Sequence, residues 1–92
     1  MSGSATDRRF AVATGLDVSP DVLRVRLSDG RELRLRFSDY EFLRDASPAQ
    51  RAGGVLDERG TVLFWPELRE GISLAGLLGV SETELEEFAG LR

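Results

Sequence analysis

The chain has 92 residues, 41 % of them hydrophobic and 30 % charged, which is room for one small domain around one core. All twelve of its basic residues are arginine, and it has no lysine, histidine or cysteine. That composition excludes disulfides, thiolate or imidazole metal sites, Schiff-base lysines and histidine-activated nucleophiles.

The net charge of −4 argues against a general nucleic-acid binder, which is usually basic. The charge is unevenly placed. Residues 1–46 hold eight arginines and eight acids, whereas residues 47–92 hold four arginines and eight acids. No apolar run approaches the roughly 20 residues that span a bilayer. The polar stretch Met1 to Arg9 has no hydrophobic segment of a secretion signal. Residues 1–8 read as a flexible lead-in and 9–92 as a single domain. Absence of cysteine fits a reducing cytoplasm, the expected compartment.

In chain order, Phe10 to Leu16 alternates large and small residues and predicts a strand, with Phe10, Val12 and Leu16 on one face. Asp17 to Asp21, with Ser19-Pro20, predicts a turn. Val22 to Leu27 is a clear strand: Leu23, Val25 and Leu27 point one way, Arg24 and Arg26 the other. Glu32 to Phe37 repeats that pattern, with Arg34 and Arg36 outward. A two-residue loop between them would mix apolar and charged residues on one face. A three-residue loop with Gly30 at the left-handed position pairs Val25 with Leu33 and Leu23 with Leu35. It also sets Arg26 opposite Glu32, and Arg24 opposite Arg34.

Ser38-Asp-Tyr-Glu41 has the spacing of a capping box and predicts a helix over about 39–44 that buries Phe42 and Leu43. Ala46 to Gly54 reads as a connection. Val55–Asp57 and Thr61–Trp65 predict a second hairpin around Glu58-Arg59-Gly60. The second of these strands is apolar on both faces and is expected to be central, ended by Pro66. A short helix starts at Ser73, with Leu74, Leu77 and Leu78 as its stripe. Ser81-Glu-Thr-Glu84 is a further capping box opening an acidic helix over about 82–89, whose apolar side is Leu85 and Phe88. The expected fold is α+β: two antiparallel hairpins and an N-terminal strand in one small sheet, with short helices on one face.

Two stretches resemble a bacterial family known as domain of unknown function 2442. The hairpin Leu23-Arg-Val-Arg-Leu-Ser-Asp-Gly30 resembles the family's L-x-V-x-F-x-D-G element. Leu63-Phe-Trp-Pro-Glu-Leu-Arg-Glu-Gly-Ile-Ser73 resembles its I-x-W-P-x-x-x-D-I-S element. The resemblance covers about residues 10–78. It departs at Gly71, where an aspartate is usual, and in the acidic helix after Val80. It implies a small α+β domain, and a regulatory or antitoxin-like protein acting on a partner. The DNA-binding helix-turn-helix of some members has no counterpart in these residues, so DNA is not an expected partner.

The candidate binding residues are Arg24, Arg34 and Arg36, whose planar donor forks suit carboxylate or phosphate. Such a face is also compatible with simple solvation. It is compatible, too, with neutralisation by the Glu84, Glu86, Glu87 helix or by a second copy's helix. Leu85 and Phe88 form a candidate docking face for a partner, or else pack on their own domain. Trp65-Pro66 reads as a core plug with a stop signal. Asp57, Glu58, Glu67 and Glu70 read as a solvated rim. No catalytic residue, metal ligand or cofactor is expected. The expected function is a non-enzymatic protein-interaction module whose partner is another protein or a second copy. The alternative is an anion- or RNA-binding regulator using the arginine face. RNA is the weaker candidate because no aromatic alternates with the arginines to stack bases.

Overall fold

A computed structural model describes residues 10–90. The expected lead-in over residues 1–8 lies outside them. The fold is α+β, but its strands form two antiparallel three-stranded sheets rather than one. The first is ordered β1 (Ala13–Val18), β2 (Val22–Leu27), β3 (Glu32–Arg36); the second is ordered β4 (Val55–Leu56), β5 (Val62–Trp65), β6 (Glu70–Ser73). Between the sheets in sequence lie two single-turn helices, α1 (Glu41–Arg44) and α2 (Pro48–Arg51). After them come α3 (Leu74–Leu78) and α4 (Glu82–Gly90). Among the described residues no helix is long and apolar enough to cross a membrane.

The β2–β3 register is the expected one: Val25 pairs with Leu33, Leu23 with Leu35, Arg26 with Glu32 and Arg24 with Arg34. Gly30 turns at φ 90°, a conformation that costs other residues energy. Leu23, Val25 and Leu27 are buried, so the apolar face of the hairpin is the floor of the core.

β1 differs from expectation. It begins three residues later than Phe10 and runs through Val18, into the segment expected to be a turn. Ala13 pairs with Leu27 but Gly15 pairs with Arg26, so Thr14 is an extra residue. Such a bulge breaks the period of two. Ala13 and Leu16 consequently both lie on the core side, opposite Leu27 and Val25, while Gly15 and Asp17 lie opposite Arg26 and Arg24. The expected Phe10, Val12, Leu16 face is replaced by a run in which Ala11, Val12 and Ala13 are all buried.

The helix expected over 39–44 is divided. Phe37–Asp39 forms a 3-10 turn and α1 starts only at Glu41, with Tyr40 as its cap and no side-chain bond from Ser38. The buried Phe37 ring holds this segment down, and the Phe37 amide donates to the Asp21 carbonyl at 3.1 Å. The capping box lies nine residues on, in the stretch expected to be a plain connection. Ser47 Oγ accepts from the Gln50 amide (3.1 Å), the Gln50 side chain accepts from the Ser47 amide (2.9 Å), and Pro48 opens α2.

In the second sheet β5 is central, as expected. Its loop from β4 is one residue longer than expected, because Leu56 pairs with Leu63 and the Asp57 amide bonds to the Val62 carbonyl (3.1 Å). β6 was not expected; it pairs Trp65 with Glu70 and Leu63 with Ile72. Pro66 ends β5, and the turn to β6 closes with Arg69 at φ 55°. Trp65 is a buried plug: its indole N–H donates to the Arg51 carbonyl (3.0 Å) and Phe42 meets it edge-on at 5.5 Å.

The start of β1 is extended along β2 at Val12 and tied to the second sheet at Ala13. The Val12 amide donates to Ser28 Oγ (3.1 Å) and its carbonyl accepts from the Ser28 amide (2.8 Å). The Ala13 amide donates to the Gly60 carbonyl (2.8 Å). Gly60 sits at φ 71°, and a Cβ there would lie 2.3 Å from the Ala13 oxygen, so only glycine lets the two backbones approach this closely. One core then runs from Leu23 and Val25 to Leu63, Trp65, Leu74 and Leu85.

Candidate functional site

The period of two in β2 and β3 brings Arg24, Arg26, Arg34 and Arg36 to one exposed face. β1 adds Asp17, which the turn reading had hidden. Arg26 Nη1 lies 2.6 Å from Asp17 Oδ2. It reaches that acid by lying flat over Gly15, where even a Cβ would collide with its guanidinium. Arg24 has only a long contact to Glu32, 3.9 Å, and faces Arg34 directly across the ladder. Among the described residues Arg34 and Arg36 form no ion pair. The pair of arginines in register costs a few tenths to about 1 kcal/mol. Beside them lies a shallow cavity of about 350 Å³ lined by Val22, Arg34, Leu35 and Arg36.

The acidic helix is not what neutralises this face. α4 lies against the second sheet, where Glu86 Oε1 pairs with Arg59 (2.9 Å) and Glu86 Oε2 accepts from Thr61 Oγ1 (2.7 Å). Leu85 and Phe88, the candidate docking face, are turned inward instead. Leu85 is buried in the domain's own core, and Phe88 stacks on Phe10 with ring centres 5.8 Å apart. The apolar stripe of a surface helix is simply consumed by its own domain. Ser81 Oγ accepts from the Glu84 amide at 3.0 Å, so the expected cap forms.

The expected acidic rim is not one cluster. Asp57 is a turn brace: Oδ1 accepts from the Thr61 amide (2.7 Å) and the Val62 amide (2.9 Å), and Oδ2 lies 3.2 Å from Thr61 Oγ1. Partial desolvation opposes ionisation, but the amides of Val62, Thr61 and Arg59 outweigh it. They hold the Asp57 carboxyl below the usual range. Thr61 is 2 % exposed and has one hydroxyl hydrogen for two carboxylates. The shorter contact assigns it to Glu86. Glu67 accepts from Gln50 Nε2 (3.3 Å). Among the described residues no three acids converge on a metal-sized space.

Arg51 escaped the sequence reading. Its Nε donates to the Leu43 carbonyl (2.8 Å), Nη2 to Arg44 (3.0 Å) and Nη1 to Pro20 (3.2 Å). Its guanidinium carbon lies 5.2 Å from the Phe37 ring centre. One half-buried arginine thus ties the end of α1 to the β1–β2 turn and sits beside a cavity of about 240 Å³ that Arg36 also lines. The only sequence signal was its place in a Ser-Pro-x-Gln helix turn.

Two solved structures are similar to this chain. One is a protein of unknown function from Rhodospirillum rubrum, with TM-score 0.67 and 24 % identity, covering 82 % of this chain and 96 % of that one. The other is an uncharacterized protein from Chromobacterium violaceum, with TM-score 0.67 and 23 % identity, covering 92 % of this chain and 83 % of that one. At such identity they share the fold. No curated protein matches the chain. Residues 13–82 match the family described as a protein of unknown function, DUF2442, and span both sheets and the seam between them; with most of its length inside that match, the chain belongs to the DUF2442 family.

Proposed function

We propose that this chain is a non-enzymatic protein-interaction module of the cytoplasm, with the outer face of β1–β2–β3 as its recognition surface. The observation that supports it best is the contrast within one row of arginines. Arg26 is paired with Asp17, whereas Arg34 and Arg36 are exposed and form no ion pair among the described residues. Two such guanidinium groups on a rigid sheet favour a partner that brings carboxylates. The carboxyls held below their usual range, Asp29 and Asp57, both brace turns by accepting amides, which is structural rather than catalytic work. The regulatory, antitoxin-like role implied by the family resemblance is one form such recognition takes.

The test is retention of a protein partner from the encoding organism's lysate by the wild-type chain and by Arg34→Gln/Arg36→Gln. The expected result is a protein held by the wild type and lost from the double variant. The variant's stability should stay within about 0.5 kcal/mol of wild type, as for surface substitutions elsewhere. A partner held equally by both, or no partner at all, overturns the reading.

A further inference from the structure

The two edges of the first sheet are treated differently. β1's outer edge is met by the second sheet, through the Ala13 amide and the Gly60 carbonyl. β3's outer edge pairs with no strand among the described residues. Its polarity follows from the ladder. The Leu27 amide donates to the Arg31 carbonyl (2.8 Å) and the Phe37 amide to that of Asp21 (3.1 Å). Bonded and unbonded pairs alternate along an antiparallel ladder. The main-chain groups of Leu33 and Leu35 therefore point at β2, and those of Glu32, Arg34 and Arg36 point away from it. The residues whose backbone is exposed at the edge are the ones whose side chains form the charged face. On the opposite face of the same edge, Leu33 and Leu35 are only half-buried, unlike Leu23, Val25 and Leu27 behind them.

We infer that the open edge of β3 accepts an extended strand from a protein partner in which acidic residues alternate with apolar ones. The inference rests on the interaction reading above and names its mode. Strand addition takes main-chain bonds from the edge and specificity from alternate side chains. Side chains of the added strand on one face lie beside Arg34 and Arg36, where carboxylates supply the missing counter-charge. Those on the other face lie beside Leu33 and Leu35 and complete their burial. Such edges are otherwise guarded by charge against unwanted pairing. A second copy is a poorer occupant. Antiparallel pairing of β3 with itself, centred on Arg34, sets each Arg36 opposite the copy's Glu32 but Arg34 against its own copy, and each copy brings two more arginines to the face for that one acid.

The test uses a fluorescein-labelled peptide of three Glu-Val repeats and its block isomer, three glutamates followed by three valines. Anisotropy should show the alternating peptide binding at least tenfold more tightly than the block isomer, and at least tenfold more weakly to Arg34→Gln/Arg36→Gln than to wild type. N-methylating one alternate set of its amides should abolish binding while methylating the other set leaves it. Loss on methylating the glutamate amides assigns an antiparallel strand, and loss on methylating the valine amides a parallel one. Equal binding of alternating and block peptides, or equal effects of the two methylation sets, overturns strand addition. So does failure of the alternating peptide to bind, or a concentration-dependent dimer of the chain that Glu32→Pro abolishes. In each of those cases an arginine-dependent protein partner from the lysate would leave the interaction reading standing; its absence would remove both.

Discussion

Replacing Arg51 by methionine should destabilise the domain by about 3 kcal/mol. The substitution deletes three hydrogen bonds from a charged donor to backbone carbonyls, at 2.8, 3.0 and 3.2 Å. Because the guanidinium stays half in water, each contributes about 0.5–1.5 kcal/mol, the range of a neutral bond, once exchange with water is counted. The stack on Phe37 adds about 0.5–1 kcal/mol. Methionine retains part of the apolar stem's packing, so the loss falls on the polar head. The carbonyl of Arg44, at the end of α1, is one that a helix leaves without an internal partner. For a domain of this size the same loss lowers the melting temperature by about 12–24 °C. Arg51→Lys, with the charge but without the planar fork, should recover about a third of it. Trp65 is the single tryptophan and is buried, and its indole bonds to the main chain of residue 51, which the substitution leaves in place. Urea unfolding followed by its fluorescence therefore reads the same transition in all three proteins. A loss below about 0.5 kcal/mol with an unchanged denaturant slope would show that the carbonyls are as well served by water, and the clasp would have no energetic role.

Two further outcomes concern the β4–β5 loop. Asp57→Asn should cost about 1–2 kcal/mol at pH 7, because a neutral amide accepts the Thr61 and Val62 amides less strongly than a carboxylate. The Asp57 carboxyl is held lower in the folded state than in the unfolded chain, so its contribution is present above the ordinary carboxylate range. It disappears as pH falls through the folded value, so urea titrations of wild type and variant should begin to converge as pH falls below about 4. Thr61→Val removes the buried hydroxyl that serves Glu86 while keeping its shape, and should cost about 1–2 kcal/mol in the same assay.

What could be read in the sequence was whatever local pattern decides. The β2–β3 hairpin was legible because only one loop length keeps Leu23, Val25 and Leu27 on the same face as Leu33 and Leu35. β6 was not legible: it is four residues long and buries only Ile72 fully, so its existence depends on β5 beside it. The two capping boxes near residue 40 show the same limit. Ser38 and Glu41 have the right spacing, but the burial of Phe37 takes the backbone into a 3-10 turn first. Ser47 and Gln50 close a real box on a turn with no apolar stripe to announce it. At the arginine face the unpaired state of Arg34 and Arg36 could be suspected from their register alone. The partner of Arg26 could not, because a single bulged residue, Thr14, decides that Asp17 comes to lie on that side. Arg51 was invisible for a deeper reason: its partners are carbonyls from three separate segments, and sequence does not say where carbonyls go.

The seam at residues 12 and 13 also bears on the order of events during synthesis. A ribosome releases this segment early, yet its hydrogen-bond partners are Ser28 and Gly60. The meanders β1–β3 and β4–β6 each close through short local connections and can form as each emerges. Val12 can meet Ser28 as soon as β2 has been made, but the Ala13 amide must wait until the chain has reached Gly60. A segment made early, and already paired with its own sheet, therefore completes its hydrogen bonding late, when the second sheet docks against the first.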